Sequence, residues 1–152
     1  MSILSWFKAV TEGGNQASLV QSEQMTFSQG EEEFKGLNMR EALDAHAQWT
    51  HRLEAKINGT STEELEVSHV ACDDKCTLGK WIHGTAHNQF SHVHSFDELK
   101  RAHAEFHLTA GEVLNNVING EAEQAKQQLK QVRFMSGNVQ LALVRLYSET
   151  QH

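Results

Sequence analysis

The chain has 152 residues, no proline and a formal net charge of −7 at pH 7. That length fits one domain with a core of its own and leaves no room for a second catalytic domain of ordinary size. The acidic balance and the lack of a clustered basic run exclude a general nucleic-acid binder, and no apolar run approaches the roughly eighteen residues that a membrane span needs.

Residues 1–37 read as a partly ordered N-terminal extension. They hold Gly13-Gly14, Gly30, the acidic run Glu31-Glu32-Glu33 and Gly36, with a weak apolar pattern at Met25, Phe27 and Phe34. Trp6 and Phe7 are either incidental aromatics on a frayed end or an anchor to a partner or to the bundle. The stretch from Met1 to Val10 lacks the long apolar core and small-residue cleavage site of a secretory signal, which predicts a cytoplasmic protein.

Residues 38–150 are expected to fold as one helical bundle. Asn38 is a good N-cap and Glu41 completes a capping box, so the first confident helix starts there and stops at Asn58-Gly59. Its inward stripe runs Met39, Ala42/Leu43, His46, Trp49/Thr50, Leu53 and Ile57. One histidine, His46, thus occupies a core position. Thr60 to Lys75 is polar and acidic, a loop with a turn of helix.

Cys76 to Ile82 predicts a short helix capped by Asp73 or Asp74, with Leu78, Trp81 and Ile82 buried. Cys76 would then lie in its first turn, where free backbone N–H groups favour a thiolate. His83 to His94 reads as irregular. Ser95 and Glu98 form a second capping box that launches a helix ending at Asn119-Gly120. The stripe of that helix is Phe96, Leu99, His103, Phe106, Ala110, Val113 and Val117, and His107 projects from the same face one turn after His103. A closing helix from about Glu121 to Tyr147 carries Ala122, Ala125, Leu129, Val132, Ser136, Val139, Leu143 and Leu146 inward and offers no metal ligand. The sum is an all-α four-helix bundle in which a short helix carries the cysteine.

The compositional outlier is histidine, ten residues in all, seven of them between His69 and His107. A polar ring buried without a partner costs about 1–3 kcal/mol, so inward histidines need hydrogen bonds or a metal. His46, Cys76, His103 and His107 make a closed set of three imidazoles and a thiol, which suits a zinc ion held tetrahedrally in a structural or regulatory site. Three neutral imidazoles and a thiolate would leave such a centre near a charge of about +1. A local set of Cys72, Cys76, His83 and His87 competes with it. Cys72 could alternatively act as a resolving thiol for Cys76. His51, His69, His83, His87, His92 and His94 are expected at the surface, where as a cluster they could take a weaker metal or respond to pH. Two other function classes stay open: a structural zinc bundle serving as an interaction module, and a haemerythrin-like di-iron protein, for which Glu105 and Glu112 lie off the inward stripe.

At three places the chain resembles the chemoreceptor zinc-binding (CZB) domain: His46-x-x-Trp49-x-x-x-Leu53, Cys76-Thr-Leu-Gly-Lys-Trp81 and His103-Ala-Glu-Phe-His107. The cysteine follows the first histidine by 30 residues and the histidine pair follows by a further 27. The resemblance covers roughly residues 38–147. It implies a four-helix bundle, often a homodimer, binding one zinc through His46, Cys76, His103 and His107. It further implies a bacterial, cytoplasmic sensor of zinc or of hypochlorous acid, working with a chemoreceptor or a diguanylate cyclase, here as a stand-alone member. The sequence offers no open-site metal, nucleophilic triad, phosphate-binding glycine loop or paired inward carboxylate, which predicts a regulatory protein and not an enzyme. Trp49, Leu78, Gly79 and Trp81 belong to the same pattern; the tryptophans either wall off the metal or are ordinary core, and Gly79 permits close helix approach.

Overall fold

The protein is described by a computed structural model over residues 33–151. The expectations for Trp6, Phe7, Gly13-Gly14, Met25, Phe27, Gly30 and the acidic pair Glu31-Glu32 lie outside the described residues. Strands β1 (Glu33–Phe34) and β2 (Leu37–Asn38) pair antiparallel, with Phe34 opposite Leu37. Lys35 and Gly36 both take positive φ, 50° and 85°, as a two-residue hairpin of this hand requires. The hairpin was not anticipated, because strands of two residues show no alternation. Phe34 and Leu37 are both buried.

Helix α1 (Met39–Ile57) follows at once, and Asn38 caps it by accepting the Glu41 amide at 3.0 Å. Gly59, at φ 71°, turns the chain out of α1 after Asn58. Met39, Ala42, His46, Trp49 and Leu53 are buried in the expected stripe. The polar stretch that follows contains one short helix, α2 (Val67–Val70), with Val70 fully enclosed.

Helix α3 (Thr77–Trp81) departs from expectation at its start. Its N-cap is Cys76, not Asp73 or Asp74, and the sulfur accepts the Gly79 amide at 3.3 Å. Beyond it the chain is regular where an irregular segment was expected: a π turn over Ile82–Ala86 runs into α4 (His87–Phe90). Ile82, Ala86 and Phe90 recur every four residues and are all buried, so packing of that face outweighs the helix-weakening Gly84.

Helix α5 (His94–Ile118) starts one residue before the proposed cap. Val93 is its N-cap, and Ser95 is buried inside the first turn instead of capping it. The chain reverses at Gly120, φ 77°, into α6 (Ala122–Thr150). Three long helices, α1, α5 and α6, with the composite α3–α4 segment as a fourth element, make an all-α bundle. Among the described residues no helix is long and apolar enough to cross a membrane.

Candidate metal centre

Each of the four chemistry-bearing side chains reaches the same point for a local reason. His46 takes the α1 stripe position between Ala42 and Trp49. His103 and His107 are successive turns of the α5 stripe. Cys76 arrives through the N-cap of α3, which comes close because Gly79 has no side chain: a Cβ there would collide with the Asp73 backbone oxygen and stand 3.1 Å from Cε1 of His103. The three histidines are at most 2% exposed, and Cys76 is half-buried.

The sulfur of Cys76 lies 3.2 Å from Nε2 of His103, 3.5 Å from Nε2 of His107 and 3.7 Å from Nε2 of His46. All four atoms fall within 4.8 Å of one another. A tetrahedron with one zinc–sulfur bond of about 2.3 Å and zinc–nitrogen bonds of about 2.0–2.1 Å has a sulfur–nitrogen edge of about 3.5 Å. The three observed sulfur–nitrogen separations scatter around that edge, so the contacts of the sulfur fit a zinc ion shared with the histidines.

Protonation supports the same fit. Nδ1 of His107 lies 2.9 Å from the Val70 carbonyl, which can only accept; the ring proton therefore sits on Nδ1 and the Nε2 lone pair faces the cluster. Burial drives His46 down to about 3 and His103 to about 2, with the neighbouring imidazoles adding to the effect, and it lowers His107 as well. All three rings are thus neutral at physiological pH, the form in which an imidazole can bind a metal. Burial pushes the Cys76 thiol up, against the backbone N–H groups of Gly79, Leu78 and Cys76 itself. Burial thus outweighs the backbone N–H groups that favour a thiolate at this helix start, and a cation would reverse the balance. One thiol proton cannot satisfy three converging imidazoles, whereas a divalent ion satisfies four donors together.

Around the cluster, Phe106 packs on His46 with centroids 4.5 Å apart, and Trp49 meets His107 edge-on at 6.2 Å. Trp81 packs toward the hairpin. Its indole N–H donates to the Lys35 carbonyl at 3.0 Å, and its ring packs on Phe34 and Phe90, so it anchors the hairpin. Asp73 pairs with His83 at 3.0 Å and brings negative charge near the cluster.

The competing local set does not assemble. Cys72 donates to Asp74 at 2.7 Å, His83 is engaged by Asp73, and among the described residues no other group of three or more metal-ligating side chains converges. His51, His69, His83, His87, His92 and His94 are all exposed. Glu105 and Glu112 are exposed too, and the cluster contains no carboxylate to bridge two irons. Two contributors carried no sequence signal: the Val70 carbonyl and the Asp73 backbone oxygen against Gly79.

No curated protein and no solved structure matches the chain. The family model described as the chemoreceptor zinc-binding domain matches residues 46–114, a span that opens on His46 and includes all four cluster residues while leaving out α6. Residues 46–114 thus resemble the zinc-binding CZB domain, and His46, Cys76, His103 and His107, which could together hold a metal ion, all lie within that span.

Proposed function

We propose that this chain is a regulatory zinc-binding protein in which Nε2 of His46, His103 and His107 and Sγ of Cys76 hold one ion. The observation that carries the reading is the set of sulfur–nitrogen separations of 3.2–3.7 Å among neutral imidazoles. When bound, the ion supplies the positive charge that keeps the half-buried Cys76 as thiolate. His46 ties α1 into the centre, His103 and His107 tie in α5, and Cys76 ties in the start of α3. Four protein donors leave no position for an activated water, which favours regulation over catalysis.

Oxidant sensing belongs to the same reading. Cys76 is only half-buried and is the one oxidisable donor of the set. Its sulfur would pass two electrons to the chlorine of hypochlorous acid, releasing chloride and retaining the oxygen as sulfenic acid, a poorer donor than the thiolate. Loss of that donor frees the start of α3 from α1 and α5, a change of packing that a partner can read. We place the protein in the cytoplasm as a homodimer, with a chemoreceptor or diguanylate cyclase as partner. The dimer draws support from the exposed Phe134 on α6 and Leu108 and Ile118 on α5.

Zinc release to a chromogenic chelator on adding hypochlorous acid tests the reading, with mass spectrometry locating the modified cysteine. One zinc per chain, released as Cys76 is oxidised and released equally from Cys72→Ala, is expected. Oxidation confined to Cys72 with zinc retained would overturn the redox half.

A further inference from the structure

We infer that Gly111 is a positioning residue for the metal centre: its bare contact with Ala71 sets how closely α2 approaches α5 and so holds the Val70 carbonyl on Nδ1 of His107. The inference rests on the proposal that His107 is a ligand. Helix α2 has four residues, far too few to be stable alone, so its place is set by packing and not by its own hydrogen bonds. The Val70 carbonyl belongs to the last turn and has no helical donor to serve, which leaves it available to the imidazole.

Gly111 follows His107 by four residues, one turn along the same face of α5, and Ala71 follows Val70 directly. The glycine contact and the hydrogen bond are therefore neighbours across one seam. A Cβ on Gly111 would lie 2.7 Å from Cβ, 3.3 Å from Cα and 3.4 Å from N of Ala71. None of these is the end of a flexible side chain. Carbon atoms in contact sit about 3.5–4.0 Å apart, so α2 would have to withdraw by on the order of 1 Å. A bond now 2.9 Å long would not survive that withdrawal. His107 would then lose both the group that orients its ring and the acceptor that keeps its proton on Nδ1. Losing such a support costs metal sites roughly 10–100-fold in affinity.

The test measures zinc affinity of the full chain by chelator competition, alongside the imidazole nitrogen signals of His107 by NMR. Gly111→Ala should weaken zinc binding by about tenfold or more and lose the hydrogen-bonded Nδ1–H signature. Adding Ala71→Gly, which removes the opposing methyl, should restore both. Should Gly111→Ala fail to fold, Ala71→Gly alone is compared with the double variant, because the double variant replaces the methyl from the other side of the seam. Ala71→Gly alone should then bind zinc more weakly than the double variant. Zinc affinity unchanged in Gly111→Ala, or Ala71→Gly alone binding as tightly as the double variant, would overturn the proposal. His107→Ala separates the two layers: unaltered zinc binding in that variant removes the ligand assignment itself, whereas lost binding there with an indifferent Gly111 removes only the positioning role.

Discussion

The sulfur of Cys76 accepts the amide of Gly79 at 3.3 Å while standing 3.2 Å from Nε2 of His103, so one atom both caps α3 and faces the histidine cluster. The start of that helix and the histidine cluster are thereby a single structural unit. The two duties separate by substitution. Cys76→Ser keeps an oxygen that caps well, whereas Cys76→Ala removes the cap at a cost of about 1 kcal/mol. Both should lose zinc affinity by orders of magnitude, but only Cys76→Ala should destabilise the metal-free protein, as read by urea unfolding. Equal metal-free stability of the two variants would contradict the capping role.

Acid should unfold the metal-free protein through its histidines. His46 and His103 titrate near 3 and 2 in the folded chain and near 6.5 when unfolded, so the unfolded state binds more protons between those values. Their contribution is complete above pH 6.5 and is lost as pH falls toward about 3. The slope below pH 6.5 is up to about 1.4 kcal/mol per pH unit for each ring, about 3 for the pair. Urea midpoints at pH 7.5, 6.5 and 5.5 check this, and His46→Gln should flatten the dependence. A pH-independent midpoint would count against neutral buried imidazoles.

Gly79→Ala should fail at both duties of α3. Its Cβ strikes the Asp73 backbone oxygen, so the loop that delivers Cys76 must shift. Overpacking of this kind costs about 1–3 kcal/mol. Chelator competition should show weaker zinc binding together with a lower urea midpoint. Wild-type affinity in this variant would mean that the close approach of the loop does not place Cys76.

The hairpin should report on the metal. Phe34 fits among Trp81, Phe90 and Tyr147, with centroids 5.2–5.6 Å away, and Trp81 lies five residues after Cys76 on the same helical run. Loosening the start of α3 should loosen that anchorage. Trypsin cleavage after the exposed Lys35 is expected to be faster in metal-free than in zinc-loaded protein, and fast in both forms of Phe34→Ala. Identical wild-type rates with and without zinc would uncouple the hairpin from the centre.

The long helices and all four cluster residues were legible because periodicity and capping speak in local residue types: Asn38 with Glu41, Gly59, Gly120 and the α5 stripe. What stayed hidden depends on tertiary contacts. Asp73 and Asp74 are better caps by preference than cysteine, yet Cys76 takes the cap because its sulfur must also reach three imidazoles. Ser95 reads as a cap but is drawn inward beside Phe96, which moves the N-cap of α5 to Val93. Gly84 suggests a break, while Ile82, Ala86 and Phe90 together bury enough surface to keep that segment helical. The Val70 carbonyl is backbone, so no residue type announces it, and the contact of Gly111 with Ala71 joins residues forty positions apart.

X-ray absorption at the zinc edge of the loaded chain tests the central claim most directly. The account predicts one sulfur at about 2.3 Å and three nitrogens at about 2.0–2.1 Å. A shell with two sulfurs, with none, or with six oxygen and nitrogen atoms would contradict it.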